Sequence, residues 1–216
     1  MDTILFFTLG ASIGSFIGLT WYRFPEKSLL FPPSFCDNCQ QSLEIRDLCP
    51  LVSVLINGFR CRFCHIKLSL SYFFIELFCG ILLCLTYHQI FLTWADLAIL
   101  YGSLLLSLFD LRDHSYPLTL WLIFTGLLII FYPITTLFLL FLTLAFLAEW
   151  KLKTIGSGDF LFLASLSLTY SLSHLLWLIQ IACLLGVSAC LLFKSRKIPF
   201  IPYLSFSLLI TLFFYH

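Results

Sequence analysis

Two aspartates stand at the ends of long apolar stretches, where a membrane protein rarely places charge. Asp110 closes one such stretch, and Asp159 opens another within the run Gly156-Ser157-Gly158-Asp159. Carboxylates at or inside a bilayer are energetically costly and usually mark functional sites. Two carboxyl groups that face each other can share one proton and activate water for hydrolysis. The pair therefore predicts aspartyl acid–base chemistry, with Gly156 and Gly158 allowing the close backbone approach that it needs.

Four cysteines form a second candidate site. Cys36 and Cys39 make one CxxC pair, Cys61 and Cys64 make another, and 21 residues separate the pairs. Paired CxxC segments at about this spacing are typical of a zinc ion held by four thiolates. Because four thiolates leave no open coordination position, the zinc is expected to be structural. A redox pair of cysteines is the second interpretation.

The composition is that of a membrane protein. Of the 216 residues, 61% are hydrophobic and 11% are charged, and the mean hydropathy is +1.02. Soluble domains carry about 25% charged residues, so an ordinary soluble protein is excluded. About 20 apolar residues cross a bilayer, and this length predicts an all-α polytopic protein with about eight transmembrane helices. The predicted spans are residues 3–22, 70–88, 92–110, 117–132, 133–150, 159–174, 175–193 and 199–215.

The distribution of charge predicts the topology. With eight spans, all twelve Lys and Arg residues fall in alternate loops, namely residues 23–69, 111–116, 151–158 and 194–198. The other loops contain none. The positive-inside rule then places the charged loops in the cytoplasm and both termini outside, in a multi-pass protein of the cell membrane. Asp110 and Asp159 would lie at one depth on the cytoplasmic side.

Three regions follow from these patterns. Residues 1–22 are the first transmembrane helix, residues 23–69 a cytoplasmic zinc-binding loop domain, and residues 70–216 the helical transmembrane core. The loop domain is too small for a substantial hydrophobic core, and domains of this size generally need a staple. The four cysteines are expected to provide it.

The two aspartates also have simpler interpretations. Asp159 could be the N-cap of a helix, a position that aspartate favours. Asp110 could pair with Arg112, and Asp113 is interpreted as a loop residue. If both are catalytic, the helix dipole predicts that Asp159, at a helix N-terminus, is the ionised base. Asp110, at a helix C-terminus, would then be the protonated acid.

Three other acidic residues are weaker candidates. Glu76 lies about one turn inside the second span and could line the active site or a cofactor pocket. A hydrogen bond at a helix interface is an equally good interpretation of Glu76. Asp96 and Glu149 lie near the ends of spans and are expected to be solvated.

Several short motifs follow one another along nearly the whole chain. They are Gly14-Ser15-Phe16, Arg23-Phe24-Pro25, Pro33-Ser34-x-Cys36-x-x-Cys39, Pro50-Leu51-Val52-Ser53, Gly58-x-Arg60-Cys61-x-x-Cys64, Ser71-Tyr72-x-x-x-Glu76, Asp110-Leu111 with Pro117, and Gly156-x-Gly158-Asp159. In these motifs and their order the chain resembles the type IV prepilin peptidase family, and its small size is most similar to enzymes of Gram-positive competence systems. The last of the motifs resembles the family's GxGD motif.

The resemblance implies an intramembrane aspartic endopeptidase with Asp110 and Asp159 as catalytic residues. Its partners would be prepilins or pseudopilins with a leader and a hydrophobic helix, together with the lipid bilayer, and not nucleic acid. Many members also methylate the new N-terminus with S-adenosylmethionine, so the resemblance adds this cofactor to zinc. Two other functions compete. One is a membrane scaffold that uses the zinc loop, and the other is a proton-coupled transporter without protease activity.

Overall fold

The computed structural model describes the chain except for residues 27, 30, 32–33, 37, 45–46, 153–155, 195–197 and 216. Five basic residues that entered the topology prediction therefore lie outside the described residues, namely Lys27, Arg46, Lys153, Arg196 and Lys197. Pro33 of the first cysteine motif lies outside them as well.

The fold is helical, and this confirms the predicted class of polytopic membrane protein. Each of the eight predicted stretches contains one helix, and α2 is a further short helix in the loop. The described helices are α1 (Asp2–Arg23), α2 (Val52–Ile56), α3 (Leu70–Tyr87), α4 (Trp94–Asp113), α5 (Leu118–Phe131), α6 (Thr136–Leu147), α7 (Ser157–Leu166), α8 (Leu172–Phe193) and α9 (Ile201–Tyr215). A π-helical turn, Ala148–Leu152, follows α6.

The apolar helices fall into two groups by length. By length and composition, α1, α3, α4 and α8 could each cross a membrane, whereas α5, α7 and α9 are apolar but shorter. The ten residues of α7 rise only about 15 Å, against a hydrocarbon core of about 30 Å. The count of eight crossings therefore stays a prediction.

The predicted boundary between the sixth and seventh spans lies a few residues too late. Instead of continuing to residue 174, α7 ends at Leu166. A tighter turn follows, in which the Leu168 amide donates to the carbonyl of Ser165, three residues earlier. Ser171 is the N-cap of α8, so the break occupies residues 167–171.

The chain forms two compact units, and the first is Met1–Thr93. Within it, α1 packs antiparallel to α3 at very close range. A Cβ atom added at Gly10 would lie 2.9 Å from the Cα of Gly80, and one added at Gly14 would lie 2.9 Å from the Cα of Glu76. Small residues four apart allow this contact, as in many transmembrane helix pairs.

The second unit, Trp94–His216, contains α4 to α9. Helix α4 packs on α5 and α9, and α7 packs on α5 and α6. Buried polar contacts join these helices. The Trp121 Nε1 of α5 donates to the Ser165 Oγ of α7 at 2.7 Å, and the hydroxyls of Ser107 in α4 and Ser205 in α9 lie 2.7 Å apart. Such contacts link helices where the surroundings are apolar.

One expectation about a polar residue is wrong. Asp96 is buried rather than solvated. Its carboxylate accepts a hydrogen bond of 2.5 Å from the Tyr170 hydroxyl. Glu149 is exposed, as expected, and accepts a hydrogen bond of 2.6 Å from Ser157.

Candidate active site and metal site

Asp110 lies in the last turn of α4 and is half-buried. Its Oδ2 accepts a hydrogen bond of 3.1 Å from the backbone amide of Ile201, the first residue of α9. The carboxyl group therefore satisfies one of the amides that a helix N-terminus leaves without an intrahelical partner. The Arg112 guanidinium pairs instead with Asp113, which is exposed, at 2.6 Å. Asp113 was predicted to be a loop residue, but it is the last residue of α4 and an ion-pair partner of Arg112.

Asp159 is the third residue of α7 and is also half-buried. The N-cap of α7 is Gly156, so the interpretation of Asp159 as the N-cap is wrong. A Cβ atom at Gly156 would lie 3.2 Å from the Oδ2 of Asp159. Glycine at this position therefore leaves room for the carboxyl group beside the turn that begins the helix.

The second unit brings the two predicted aspartates together. Their carboxyl groups are near enough for the charges of Asp110 and Asp159 to interact. Helix α5 contacts both α4 and α7, the helices that carry them. Because like charges repel, ionisation of one of the two carboxyl groups makes ionisation of the other less favourable.

The basis for the predicted asymmetry between the aspartates is absent. Asp159 lies at the N-terminus of α7, as expected, but Asp110 lies against the N-terminus of α9 as well as at the end of α4. A helix N-terminus stabilises a nearby anion. Since each carboxyl group has one beside it, the helix dipole no longer distinguishes base from acid.

Tyr116 is a neighbour of this site that the sequence did not single out. A Cβ atom added at Gly158 would lie 2.7 Å from the Cγ of the Tyr116 ring, so the ring packs directly on the glycine. The Tyr116 hydroxyl is inaccessible to solvent and has no hydrogen-bond partner among the described residues. Burial, together with the nearby charge of Asp159, raises the pKa of Tyr116 well above its ordinary value. The hydroxyl of Tyr116 therefore stays protonated.

The four predicted cysteines converge in the first unit. The sulfur atoms of Cys36, Cys39, Cys61 and Cys64 all lie within 4.8 Å of one another, and those of Cys36 and Cys64 are 3.8 Å apart. Zn–S bonds of about 2.3 Å in a tetrahedron place the sulfurs about 3.8 Å apart. The donor set and its spacing fit a structural zinc ion.

The two CxxC pairs have the same local structure. In each, the first cysteine donates its amide across a short hairpin, Cys36 to Gln41 and Cys61 to Ile66. The residue after the second cysteine has a positive φ in both, 57° at Gln40 and 55° at His65. This repeated turn points the sulfurs of each pair to one side.

The cluster needs a cation for all four thiols to ionise. The backbone amide of Ile66 and the side chain of Asn38 lower the pKa of Cys64 to about 6. At Cys39 the amide of Gln41 favours the thiolate, but desolvation and the neighbouring thiols raise the pKa to about 11. A bound zinc ion would remove this conflict, because it deprotonates the thiols that coordinate it.

Glu76 has a structural contact rather than a visible catalytic one. Its side chain is buried, and its Oε2 accepts a hydrogen bond of 2.8 Å from the amide of Leu51. Ser15 of α1 also lies close to the carboxyl group. Of the two interpretations of Glu76, the structure favours a hydrogen bond between elements. Glu76 belongs to the first unit, and the two aspartates belong to the second.

Comparisons with known proteins show which proteins the chain is similar to. Residues 8–90 match the family model described as the bacterial peptidase A24 N-terminal domain, nearly the whole first unit. The chain is 27% identical to the prepilin leader peptidase/N-methyltransferase of Pectobacterium carotovorum subsp. carotovorum, covering 88% of this chain and 82% of that protein. It is 29% identical to the protein of the same name from Neisseria gonorrhoeae, with 92% and 86% covered.

A third relative, the prepilin leader peptidase/N-methyltransferase of Legionella pneumophila, is 29% identical over 86% of this chain and 74% of its own length. These similarities confirm the resemblance to the type IV prepilin peptidase family. No solved structure matches the chain.

Proposed function

We propose that this chain, whose relatives are prepilin leader peptidases, is an intramembrane aspartic endopeptidase that removes the leader peptide of type IV prepilins or pseudopilins. The observation that carries the proposal is the convergence of two carboxyl groups, those of Asp110 and Asp159, within one helical unit. Both side chains are partly accessible, so water and a peptide can reach them. The similarity to named prepilin peptidases over most of the chain supports the substrate class.

In the proposed reaction the two carboxyl groups hold one proton. The ionised group takes a proton from water as the water oxygen attacks the carbonyl carbon of the scissile peptide bond, and the neutral group donates its proton to the carbonyl oxygen. The tetrahedral intermediate then collapses: one of its hydroxyl groups returns a proton to the carboxylate, the C–N bond breaks, and the amine leaves with the proton that the other carboxyl group took from water. The pair is left with one proton, as at the start. Repulsion between Asp110 and Asp159, with their partial burial, supports the singly protonated state.

The proposed location is the cell membrane, with the two aspartates and the cysteine loop on the cytoplasmic side and both termini outside. The alternation of charged and uncharged loops supports this orientation. Leader peptides precede the hydrophobic helix of the substrate, so a site at the cytoplasmic end of the helices suits cleavage there.

Cys36, Cys39, Cys61 and Cys64 would hold zinc, which supplies a rigid crosslink when bound and no open coordination position. Its role in the proposed enzyme is to fold residues 23–69 and not to polarise the substrate. Methylation of the new N-terminus with S-adenosylmethionine rests on the family resemblance alone. We assign no residue to methyl transfer.

Mass spectrometry of a co-expressed pseudopilin tests the proposal. The wild type and Asp113→Asn, a control for an acidic residue three positions from Asp110, are expected to release the leader. Asp110→Asn and Asp159→Asn are each expected to lower the cleavage rate about 10²–10⁴-fold, the usual contribution of acid–base catalysis. The same spectrum shows whether a methyl group is added.

Cleavage at the wild-type rate by Asp159→Asn, with equal amounts of enzyme in the membrane, would contradict the proposal. It would favour the scaffold, which needs the cysteines and not the aspartates.

A further inference from the structure

The short helix α2, in the loop between α1 and α3, exposes an apolar face. Val52, Leu55 and Ile56 are 53%, 58% and 78% exposed, whereas Leu51 and Ser53 are buried. The three exposed positions follow the spacing i, i+3, i+4, so they form one stripe on the helix. An exposed apolar stripe of this kind needs a partner. The position of α2 along the membrane helices α1 and α3 indicates what that partner is.

The hydrogen bond between the Leu51 amide and Glu76 gives a first estimate of how deep the start of α2 lies in the membrane. The Leu51 amide, directly before α2, lies 2.8 Å from the Oε2 of Glu76. Glu76 is six residues beyond Leu70, where α3 begins, which corresponds to about 9 Å along the helix axis. The 18 residues of α3 rise about 27 Å, no more than the hydrocarbon thickness of about 30 Å. Glu76 and Leu51 are therefore at membrane depth.

The second measure comes from α1. Gly14 lies level with Glu76, because a Cβ atom there would be 2.9 Å from the Cα of Glu76. Arg23, which ends α1 and is the first basic residue of the chain, is nine residues further on, or about 13 Å. The five residues of α2 rise only about 7.5 Å. Even if the axis of α2 points straight towards the membrane surface, the end of α2 lies deeper in the membrane than Arg23.

We propose that α2 is embedded in the bilayer, with Val52, Leu55 and Ile56 in contact with lipid acyl chains. Backbone at this depth must find its hydrogen bonds within the protein. The Leu51 amide donates to Glu76, and the amides of Ser53 and Leu55 donate to the carbonyls of Cys49 and Leu51. The loop 23–69 is then not wholly cytoplasmic. It dips into the membrane and returns, and α2 fixes the cysteine cluster at the bilayer surface.

Photocrosslinking from the full chain in nanodiscs of phosphatidylethanolamine and phosphatidylglycerol tests this proposal, independently of peptidase activity. A diazirine amino acid replaces Val52, Leu55 or Ile56, each in a separate variant. Phe74, 59% exposed on the membrane helix α3, is the positive control, and Gln41, exposed in the first cysteine hairpin, is the negative control. Bound zinc, measured on each variant, shows that the loop remains folded.

The α2 positions are expected to give lipid adducts within about threefold of the Phe74 yield and about tenfold above the Gln41 yield, as for side chains surrounded by hydrocarbon. Water-quenched product alone from all three zinc-loaded α2 variants, as at Gln41, would overturn the proposal. Crosslinked dimers without lipid adducts would also overturn it, since a second copy of the chain would then cover the face.

Discussion

At the scale of single residues, the tightest contact near the aspartates is the one between Gly158 and Tyr116. The aromatic ring lies where any larger residue at position 158 would place its Cβ, 2.7 Å from Cγ and 3.0 Å from the Cβ of Tyr116. Cβ and Cγ are the side-chain atoms nearest the Tyr116 backbone. Rotation of the ring about the Cβ–Cγ bond would therefore not relieve the contact. The position of Asp159, the next residue, therefore depends on the absence of a side chain at Gly158.

Gly158→Ala is expected to lower the cleavage rate strongly, by about 10²-fold if the carboxyl group of Asp159 shifts by about 1 Å. Gly126→Ala in α5 is the matched control, because a Cβ there meets nothing within 4 Å. Alanine in an exposed helix interior is favoured over glycine by about 0.5–1 kcal/mol, so the control should keep its activity and gain slightly in stability. The measurement is the rate of leader removal at equal membrane expression, together with the thermal unfolding midpoint in detergent. Wild-type cleavage by Gly158→Ala would contradict this account of the contact.

The sequence predicted the residue types of both sites but not all of their neighbours. The positions of Asp110, Asp159 and the four cysteines followed from charge, hydropathy and spacing, since a carboxylate in an apolar stretch and paired CxxC segments are rare without a role. Tyr116 carried no such pattern, because a tyrosine next to a proline in a loop is common. Its contact with Gly158 is made 42 positions along the chain and depends on how α5 packs against α7.

At the scale of helices, the sequence predicted which segments are helical better than where they end. Hydropathy located all eight stretches, yet α7 stops at Leu166 because local i→i−3 turns replace its last predicted turns. The partner of Asp110 was also beyond local patterns. The amide of Ile201 lies 91 residues further along the chain, and only the packing of α4 on α9 brings the two together.

The cysteine loop illustrates the opposite case, in which spacing alone was sufficient. Each CxxC pair forms its own hairpin, with antiparallel bridges between Phe35 and Ser42 and between Arg60 and Lys67. Because both hairpins have the same turn, each pair of cysteines is brought together by its own local structure. Arg62 adds ion pairs with Glu44 at 3.0 Å and with Asp47 at 3.6 Å. Exposed ion pairs contribute about 0–1 kcal/mol, so the metal is expected to dominate the stability of the loop.

Cys64→Ser is therefore expected to abolish zinc binding and to unfold residues 23–69, because structural zinc contributes about 10–16 kcal/mol of binding free energy in small zinc-dependent domains. Cys49→Ser is the matched control, since Cys49 is exposed and lies outside the cluster. Elemental analysis of purified protein should give one zinc per chain for the wild type and Cys49→Ser, and near none for Cys64→Ser. Limited proteolysis should cut the loop only in the variant without metal. A full complement of zinc in Cys64→Ser would show that the cluster is not the metal site.

At the scale of the whole molecule, the cysteine cluster and the two aspartates lie in different units of the chain. The family model matches residues 8–90, nearly the extent of the first unit, with the cysteine cluster, Glu76 and α2. Both aspartates lie in the second unit, which the similarity to full-length prepilin peptidases covers. The proposed chemistry and the proposed metal thus reside in separately packed parts of the protein.

The predicted topology depends on the short helices, and α5 is the critical one. Its 14 residues rise about 21 Å, less than the hydrocarbon thickness of about 30 Å. A short helix can still cross if the bilayer thins locally. The absence of Lys and Arg near position 133 and the presence of Arg112 in residues 111–116 favour a crossing.

Alkaline phosphatase fused after Ile134 is therefore expected to be active, because that enzyme folds only outside the cytoplasm. The same reporter fused after His114 should be inactive, and green fluorescent protein at that position should fluoresce. An inactive fusion after Ile134, with the fusion protein present in the membrane, would mean that α5 and α6 enter and leave on one side. In that case two crossings would be lost, the termini would still share a side, and the charge pattern alone would no longer fix the number of spans.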